Sequence, residues 1–244
     1  MGFSRCDRIP ARAAALLESA SQPIGGWMLY HLDRTGSLLE GARLELVSSA
    51  SDDLLCAEGA GAAVARMFPR GISRHGLRYL STVRSRVSDI PLFNLGSLEG
   101  KPSSAIIEQT FELVRRADFP GMPSRFQSVF CVEDPSELDA WPEITASGGA
   151  LFEIAPADPA RIAKLDASLL KGGFAEVIEP GAVEACFSFP LCAAFAYRYW
   201  SGEMSESPKP EVLVELPATA ALKVRAIPPT PVPASETLQP HRWQ

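Results

Sequence analysis

The sequence has no long apolar run. None of its hydrophobic stretches approaches the ~20 residues that a membrane-spanning helix needs. Its start, MGFSRCDRIPARAAALLESA, lacks the continuous apolar core that marks a signal peptide. We therefore expect a cytoplasmic protein that does not contact a membrane. Secretion as an effector stays compatible with this pattern.

The sequence is also poor in the spacings that hold metals, disulfides or nucleotide phosphates. Its five cysteines are an odd number with no Cys-x-x-Cys pair, and Cys131 and Cys192 have apolar neighbours, as buried thiols do in a reducing compartment. Its three histidines are far apart in the chain: His31, His75 and His241. No P-loop, G-x-G-x-x-G or G-x-S-x-G motif occurs. We expect no bound metal.

Basic residues are fewer than acidic residues, and the net charge is −6. That balance argues against a protein that binds nucleic acid through charge alone. No acidic residue occurs between Glu58 and Asp89, however, and this stretch contains six arginines: Arg66, Arg70, Arg74, Arg78, Arg84 and Arg86. Two interpretations stay open for Arg66–Arg86: a solvated basic face, or a patch that binds phosphate or an acidic partner.

Apolar residues are plentiful, at 46 % of the chain, which is enough for a packed core. Predicted strands and helices are mixed rather than strictly alternating, and this favours an α+β fold. We expect three parts: a tail with a short helix at residues 1–22, a single domain at residues 23–227, and a flexible Pro-rich tail at residues 228–244.

Hydrophobic periodicity and turn residues predict the individual elements. We expect strands at 26–32, 42–47, 126–132, 150–154, 211–216 and 222–227. We expect helices at 51–67, 103–117, 134–141 and 190–200, and a short helix opening at Asp158-Pro159. Residues 71–102, with their scattered glycines and prolines, are expected to be irregular.

Three segments combine aromatic and charged residues. They are Tyr30-His31-Leu32, Pro123-Ser-Arg-Phe-Gln-Ser-Val-Phe130, and Ala196-Tyr-Arg-Tyr-Trp200 followed by Glu211-Val-Leu-Val-Glu-Leu-Pro217. Together with Glu112-Leu-Val-Arg115 and Phe119-Pro120, their order resembles an uncharacterised bacterial domain family over most of residues 27–226. That family in turn resembles the ADP-ribosyltransferase superfamily, whose late strand carries a glutamate.

The resemblance implies a fold, a reaction and a substrate. The fold is the ADP-ribosyltransferase-like split, mixed or antiparallel sheet core with flanking helices, in which we expect the Glu211–Val214 strand to pair with Tyr30-His31. The reaction is transfer of ADP-ribose from NAD to an unknown protein or nucleic-acid acceptor, or NAD glycohydrolysis, in a bacterial toxin or effector. NAD is then the substrate.

The resemblance also implies catalytic roles. Cleavage of the bond between nicotinamide and ribose passes through an oxocarbenium-like state, which a nearby carboxylate stabilises. Glu211 is the predicted carboxylate. His31 is predicted to donate a hydrogen bond to the other ribose or its phosphates.

Further side chains are predicted to hold the cofactor. Ser124 or Arg125 would brace the site or bind the pyrophosphate. Aromatic side chains would stack on a base or on nicotinamide, the candidates being Tyr30, Phe126, Tyr199 and Trp200.

Each role has a structural alternative. Arg125 can pair with Glu112 or Glu133, Ser124 can be a turn residue, and Tyr199 can belong to the core. In transferases that modify arginine, a second carboxylate lies two residues before the catalytic one, whereas here that position is Lys209. A protein that keeps the fold as a non-catalytic partner-binding module is the alternative function.

Overall fold

The computed structural model describes residues 28–47, 59–80, 102–179 and 182–230. The predicted tail at 1–22, most of the Pro-rich tail, and Arg84 and Arg86 lie outside these ranges. The strands are β1 Leu29–Asp33, β2 Arg43–Leu44, β3 Ser128–Cys131, β4 Gly149–Pro156, β5 Ile162–Asp166, β6 Gly173–Glu179, β7 Ala182–Phe187, β8 Pro210–Glu215 and β9 Ala218–Ile227. The helices are α1 Ala60–Met67, α2 Arg74–Leu80, α3 Pro102–Asp118, α4 Pro142–Thr145 and α5 Phe189–Trp200.

Seven of the described strands form two antiparallel sheets, ordered β1-β4-β9-β2 and β3-β8-β5. Tyr30 on β1 and Val132 after β3 exchange two backbone hydrogen bonds of 2.9 and 2.8 Å, which join the sheet edges. The joined sheets curl into a half-barrel, and β6 with β7 forms a separate hairpin. The fold is therefore α+β, as the mixed pattern of elements predicts.

The predicted pairing of the late strand with Tyr30-His31 is wrong. Strand β8 lies between β3 and β5, with Glu211 opposite Leu165. Strand β1 pairs instead with β4, where His31 lies opposite Phe152. The alternation of apolar residues shows which face of a strand is buried, but it does not identify the neighbouring strand.

Strand β8 is the centre of the core because both of its faces are covered. Val212 and Val214 pack among the strands on one face. Leu213 faces α3 and α5 on the other, with Phe111 and Trp200. Since side chains alternate along a strand, Glu211 and Glu215 share the face of Leu213. The strand therefore places two carboxylates beneath the helices.

The two long helices form largely as their sequences predict. The apolar face of α3 buries Phe111. Helix α5 begins where the Ser188 side chain accepts the N–H of Leu191, and it ends just before Gly202, whose φ of 75° suits glycine. Its buried side chains are Cys192, Ala196, Tyr199 and Trp200. No helix in the described segments is long and apolar enough to cross a membrane.

Other parts of the chain differ from the sequence prediction. The stretch expected to be irregular contains α2, whose first turn is closed by Ser73 Oγ accepting the N–H of Gly76 at 2.9 Å. Gly76 lets α2 approach the neighbouring turn, because a Cβ atom there would meet the Phe126 carbonyl oxygen at 2.5 Å. The residues after Asp158 form one short 3-10 turn and then β5. Strands β6 and β7 had no counterpart in the sequence prediction.

Candidate active site

A cavity of about 300 Å³ opens where β1, β3 and β8 meet α2 and α3. This volume is at the lower end of the range for small-molecule sites. Its wall combines aromatic rings with several ionisable groups. The lining includes Tyr30, His31, Arg34, His75, Tyr79, Glu108, Arg125, Phe130, Trp141 and Glu211.

A buried charged network closes the inner end of the cavity. Arg125 Nε and Nη2 donate to the two oxygens of Glu108, each at 2.8 Å. Arg125 Nη1 donates to Tyr199 Oη at 2.7 Å and also to Glu211. Burial opposes the charge on Arg125, but Glu108 and Glu211 outweigh this effect and raise its pKa well above the ordinary value. The guanidinium is therefore held permanently charged between two carboxylates.

One carboxylate oxygen of Glu211 has no hydrogen-bond donor among the described residues. Its Oε1 accepts from Arg125 and from Tyr199 Oη, the latter at 2.7 Å. Its Oε2 makes no hydrogen bond to any described residue, and the side chain lines the cavity. Burial raises the pKa of the Glu211 carboxyl, and Arg125 offsets part of that rise. With both glutamates ionised, this end of the cavity carries one more negative charge than positive.

His31 presents a basic nitrogen to the cavity. Its Nδ1 lies 2.8 Å from the carbonyl oxygen of Phe130. A carbonyl oxygen only accepts, so Nδ1 carries the proton, and Nε2 is an acceptor that no described residue binds. Burial lowers the pKa of His31, which keeps the ring neutral. In this tautomer Nε2 cannot donate, so the donor role predicted for His31 would require the other tautomer or a second proton.

The chain was compared with known protein families and with curated proteins. Residues 29–225 match the family described as "Protein of unknown function (DUF2441)". The chain belongs to the DUF2441 family. The match begins at the first residue of β1, ends within β9 and includes every lining residue named above. No curated protein matches the chain.

The DUF2441 fold brings four of the predicted site residues together at the cavity: Tyr30, His31, Arg125 and Glu211. They come from β1, from the 3-10 turn at Arg125–Gln127 and from β8. The resemblance predicted this grouping from segments far apart in the chain. Their roles in catalysis and NAD binding stay predictions.

The other predicted residues lie behind the cavity wall. Ser124 Oγ donates to Glu112 at 2.9 Å and caps the turn that contains Arg125. Phe126 packs against the Phe68 ring with centroids 5.4 Å apart. Tyr199 is fully buried, and it reaches the site through its hydroxyl and through its ring, whose centre lies 5.5 Å from the Arg125 guanidinium carbon. Ser124 is thus a turn residue, and Tyr199 belongs to the core.

Arg125 and Trp200 also have structural partners. Neither of the predicted acids pairs with Arg125, because Glu112 binds Arg115 and Arg116, while Glu133 binds Lys164. Trp200 is buried, with its Nε1 donating to the Phe111 carbonyl oxygen at 2.8 Å.

Sequence reasoning missed the contribution of α2. His75 lies in contact with two rings, its centroid 4.4 Å from that of Phe130 and 5.0 Å from that of Tyr79. Burial, reinforced by the charge of Arg125, lowers the pKa of His75 to about 3. His75 and Tyr79 are four residues apart, a helical spacing that the glycines nearby concealed.

Glu108 was also missed. It lies next to the apolar face of α3 and is 5 % exposed. The available signal was its spacing from Glu112 and Arg115, at i+4 and i+7, which places three charged side chains along one line of the helix. Such a line beside Phe111 indicates buried ion pairs rather than a solvated face.

The loop before β8 is fixed by Asp166. Its carboxylate accepts the N–H groups of Ser168 and Ser205 at 2.8 Å and that of Lys209 at 2.9 Å. Against the effect of burial, these bonds lower its pKa to about 2. Asp166 therefore holds the backbone that leads directly into Glu211.

The side chains of that loop point to other partners. Lys209 Nζ donates to Glu143 at 2.6 Å and lies 5.4 Å from the Trp141 ring centre. Glu203 accepts from Arg198 at 2.6 Å. Neither lines the cavity, so the second carboxylate of this site is Glu108. No group of metal-ligating residues occurs in the described ranges.

Proposed function

We propose that this DUF2441 chain is an ADP-ribosyltransferase-like enzyme that cleaves NAD between nicotinamide and ribose. The observation that carries the proposal is that His31 and Glu211 line one cavity although they lie on different sheets. Stability of the fold alone does not explain why a histidine, a carboxylate oxygen that no described residue binds and an aromatic wall should lie together. A site for breaking a glycosidic bond requires such a group.

Glu211 supplies the electrostatic part of the reaction. As the bond to nicotinamide breaks, positive charge develops on the ribose ring, and Oε2 of Glu211 stabilises that charge at close range. Arg125 and Tyr199 hold the other oxygen, so the carboxylate is oriented before the substrate arrives. His31 Nε2 accepts a hydrogen bond from a ribose hydroxyl.

The meeting of two antiparallel sheets agrees with the split sheet that the resemblance implies, whereas the pairing of β8 with β3 and β5 instead of β1 does not. Two antiparallel sheets meet at one edge, with helices against them. The cavity lies at that meeting point, with β1 contributing His31 and β8 contributing Glu211. This geometry supports an ADP-ribosyltransferase-like split sheet.

The volume of the cavity is large enough for only part of NAD. About 300 Å³ suffices for a nicotinamide ring with its ribose. The phosphates and the adenosine would extend outward past the mouth. His75, Tyr79 and Phe130 offer the ring faces against which nicotinamide stacks.

The acceptor of ADP-ribose is a separate question. Lys209 occupies the position where transferases that modify arginine carry a second acid, and its amine is bound to Glu143. This disfavours arginine as acceptor. Another protein side chain, a nucleic acid or water fits the site better, and water would make the protein an NAD glycohydrolase.

The direct test is release of nicotinamide from NAD by the purified protein. We expect wild type to release nicotinamide, and Glu211→Gln to lower the rate by about 100-fold or more, because it removes the charge that faces the ribose. Glu203→Gln is the matched control, since this acid pairs with Arg198 away from the cavity. If wild type neither binds nor cleaves NAD with any acceptor offered, the proposal is wrong.

A second candidate is a partner-binding module that retains the fold without catalysis. It is favoured by the burial of Glu211, which is 4 % exposed and is held by Arg125 and Tyr199 as in a structural ion pair. The partner surface would then include Arg74 and Arg78, which are exposed one helical turn apart on α2. Charge reversal at both should abolish capture of an acidic partner, and unchanged capture excludes this surface.

A further inference from the structure

Arg34 lies at the mouth of the cavity, in the turn after β1. Its side chain is exposed and contributes to the lining. Arg34, His31 and His75 line the same cavity, and the charge of Arg34 adds to the effect of burial in lowering the pKa values of both histidines. Among the described residues, no carboxylate forms an ion pair with Arg34. Its donors are therefore available to a ligand.

The arginine expected from sequence to bind pyrophosphate has no such freedom. Arg125 donates its hydrogen bonds to Glu108, Glu211 and Tyr199. A phosphate placed there would approach two carboxylates that already share one guanidinium. Repulsion between like charges in a buried site makes that position unfavourable for an anion.

The cavity is consequently polarised along its length. At the inner end, the carboxyl groups of Glu108 and Glu211 share one guanidinium, and this arrangement suits hydroxyl groups or developing positive charge. The exposed Arg34 carries positive charge at the mouth, while His31 and His75, which also line the cavity, are neutral. A ligand with an anionic group and an uncharged or cationic group has one favourable direction in such a field.

We propose that Arg34 is the phosphate-binding residue of this site and that it directs a nucleotide to enter with its sugar and ring first. The inference rests on the proposed function, and it adds the residue that recognises phosphate and the direction of binding. A guanidinium presents paired donors that match phosphate oxygens. At the mouth this pairing leaves the sugar within reach of His31 and Glu211.

The test compares two ligands that differ only in a phosphate, nicotinamide riboside and nicotinamide mononucleotide. Binding is followed through the fluorescence of Trp141, which lines the cavity. We expect wild type to bind the mononucleotide about tenfold more tightly than the riboside, a preference that shrinks as ionic strength rises. Arg34→Ala should bind the two equally, with riboside affinity unchanged, and Arg34→Lys should keep part of the preference.

Arg43→Ala is the matched control, because Arg43 is an exposed arginine on β2 that pairs with Glu45 away from the cavity. It should keep the full preference. If Arg34→Ala also keeps it, or if wild type binds both ligands equally, Arg34 is not the phosphate residue, although NAD cleavage in the activity assay would still support the proposed function. If neither ligand binds and NAD is not cleaved, the proposed function and this inference both fail.

Discussion

Strand β8 carries a glutamate at each end of one face, and the two have opposite surroundings. The Glu215 carboxylate forms ion pairs with two guanidiniums, since Arg70 binds Oε1 and Arg161 binds Oε2. Glu211 instead shares its guanidinium, because Arg125 forms ion pairs with both Glu211 and Glu108. Both oxygens of Glu215 therefore have a partner, whereas Oε2 of Glu211 has none among the described residues.

The contrast separates a structural ion pair from a candidate catalytic one. Around Glu215 the positive partners reach solvent, with 56 % and 33 % of the Arg70 and Arg161 side chains exposed. Around Glu211 the guanidinium is 5 % exposed. Burial without full pairing is costly for a carboxylate. That cost is consistent with a functional role for Glu211. Glu215, a glutamate on the same strand, is the reference for a purely structural carboxylate.

Removal of the shared guanidinium is the strongest way to break the comparison. Arg125→Leu leaves Glu108 and Glu211 buried without a counter-charge, and we expect a loss of about 3–5 kcal/mol in the free energy of unfolding. Arg161→Leu leaves Glu215 paired with Arg70, so we expect about 1 kcal/mol or less. Urea denaturation of both variants at neutral pH measures the difference. Equal losses would show that the two clusters are equivalent.

Neutralising each glutamate sharpens the comparison. Glu215→Gln weakens two ion pairs and should lower stability by about 1–2 kcal/mol. Glu211→Gln should lower it by less than about 1 kcal/mol, because Arg125 keeps Glu108 and the excess negative charge disappears. Thermal and urea unfolding of the two variants provide the measurement. A larger loss at Glu211 would mean that this carboxylate is there for stability.

The smallest expected effect concerns acid stability at the cavity. The folded pKa of His75, about 3, is below the unfolded value of 6.5, so the unfolded state binds a proton first as pH falls. Stability should therefore decrease below pH 6.5, by about 1 kcal/mol at pH 5 after allowance for cavity solvent. His75→Phe keeps a ring beside Phe130 and Tyr79 and should remove this part of the decrease. An identical pH profile in the variant would contradict the assignment.

The sequence predicts most of the elements around the site because each has a local signal. Helix α5 has a capping serine, an apolar stripe and a terminal glycine, and β8 has consecutive apolar residues. The α+β class follows from the mixture of such elements. The resemblance adds what local signals lack, namely that His31, Arg125 and Glu211 belong together.

The parts that sequence reasoning missed depend on contacts between distant segments. Nothing in the Glu211–Val214 segment specifies that β3 and β5 are its neighbours rather than β1. The helical spacing of Glu108 from Glu112 and Arg115 does not reveal its partner, because Arg125 comes from a distant turn of the chain. The two buried carboxylates beside Arg125 also come from distant segments, and they favour the bracing role predicted for this residue over the binding of phosphate.

The junction between the sheets has a mechanical consequence. Tyr30 and Val132 connect the sheet edges through two amide hydrogen bonds, next to His31 and Phe130. Because His31 and Glu211 lie on different sheets, a change in the angle between the sheets alters their separation and also acts on these two hydrogen bonds. A molecule held by both sheets acts as a brace across the junction. The rates at which the Tyr30 and Val132 amides exchange hydrogen with solvent therefore report how firmly the cavity is occupied.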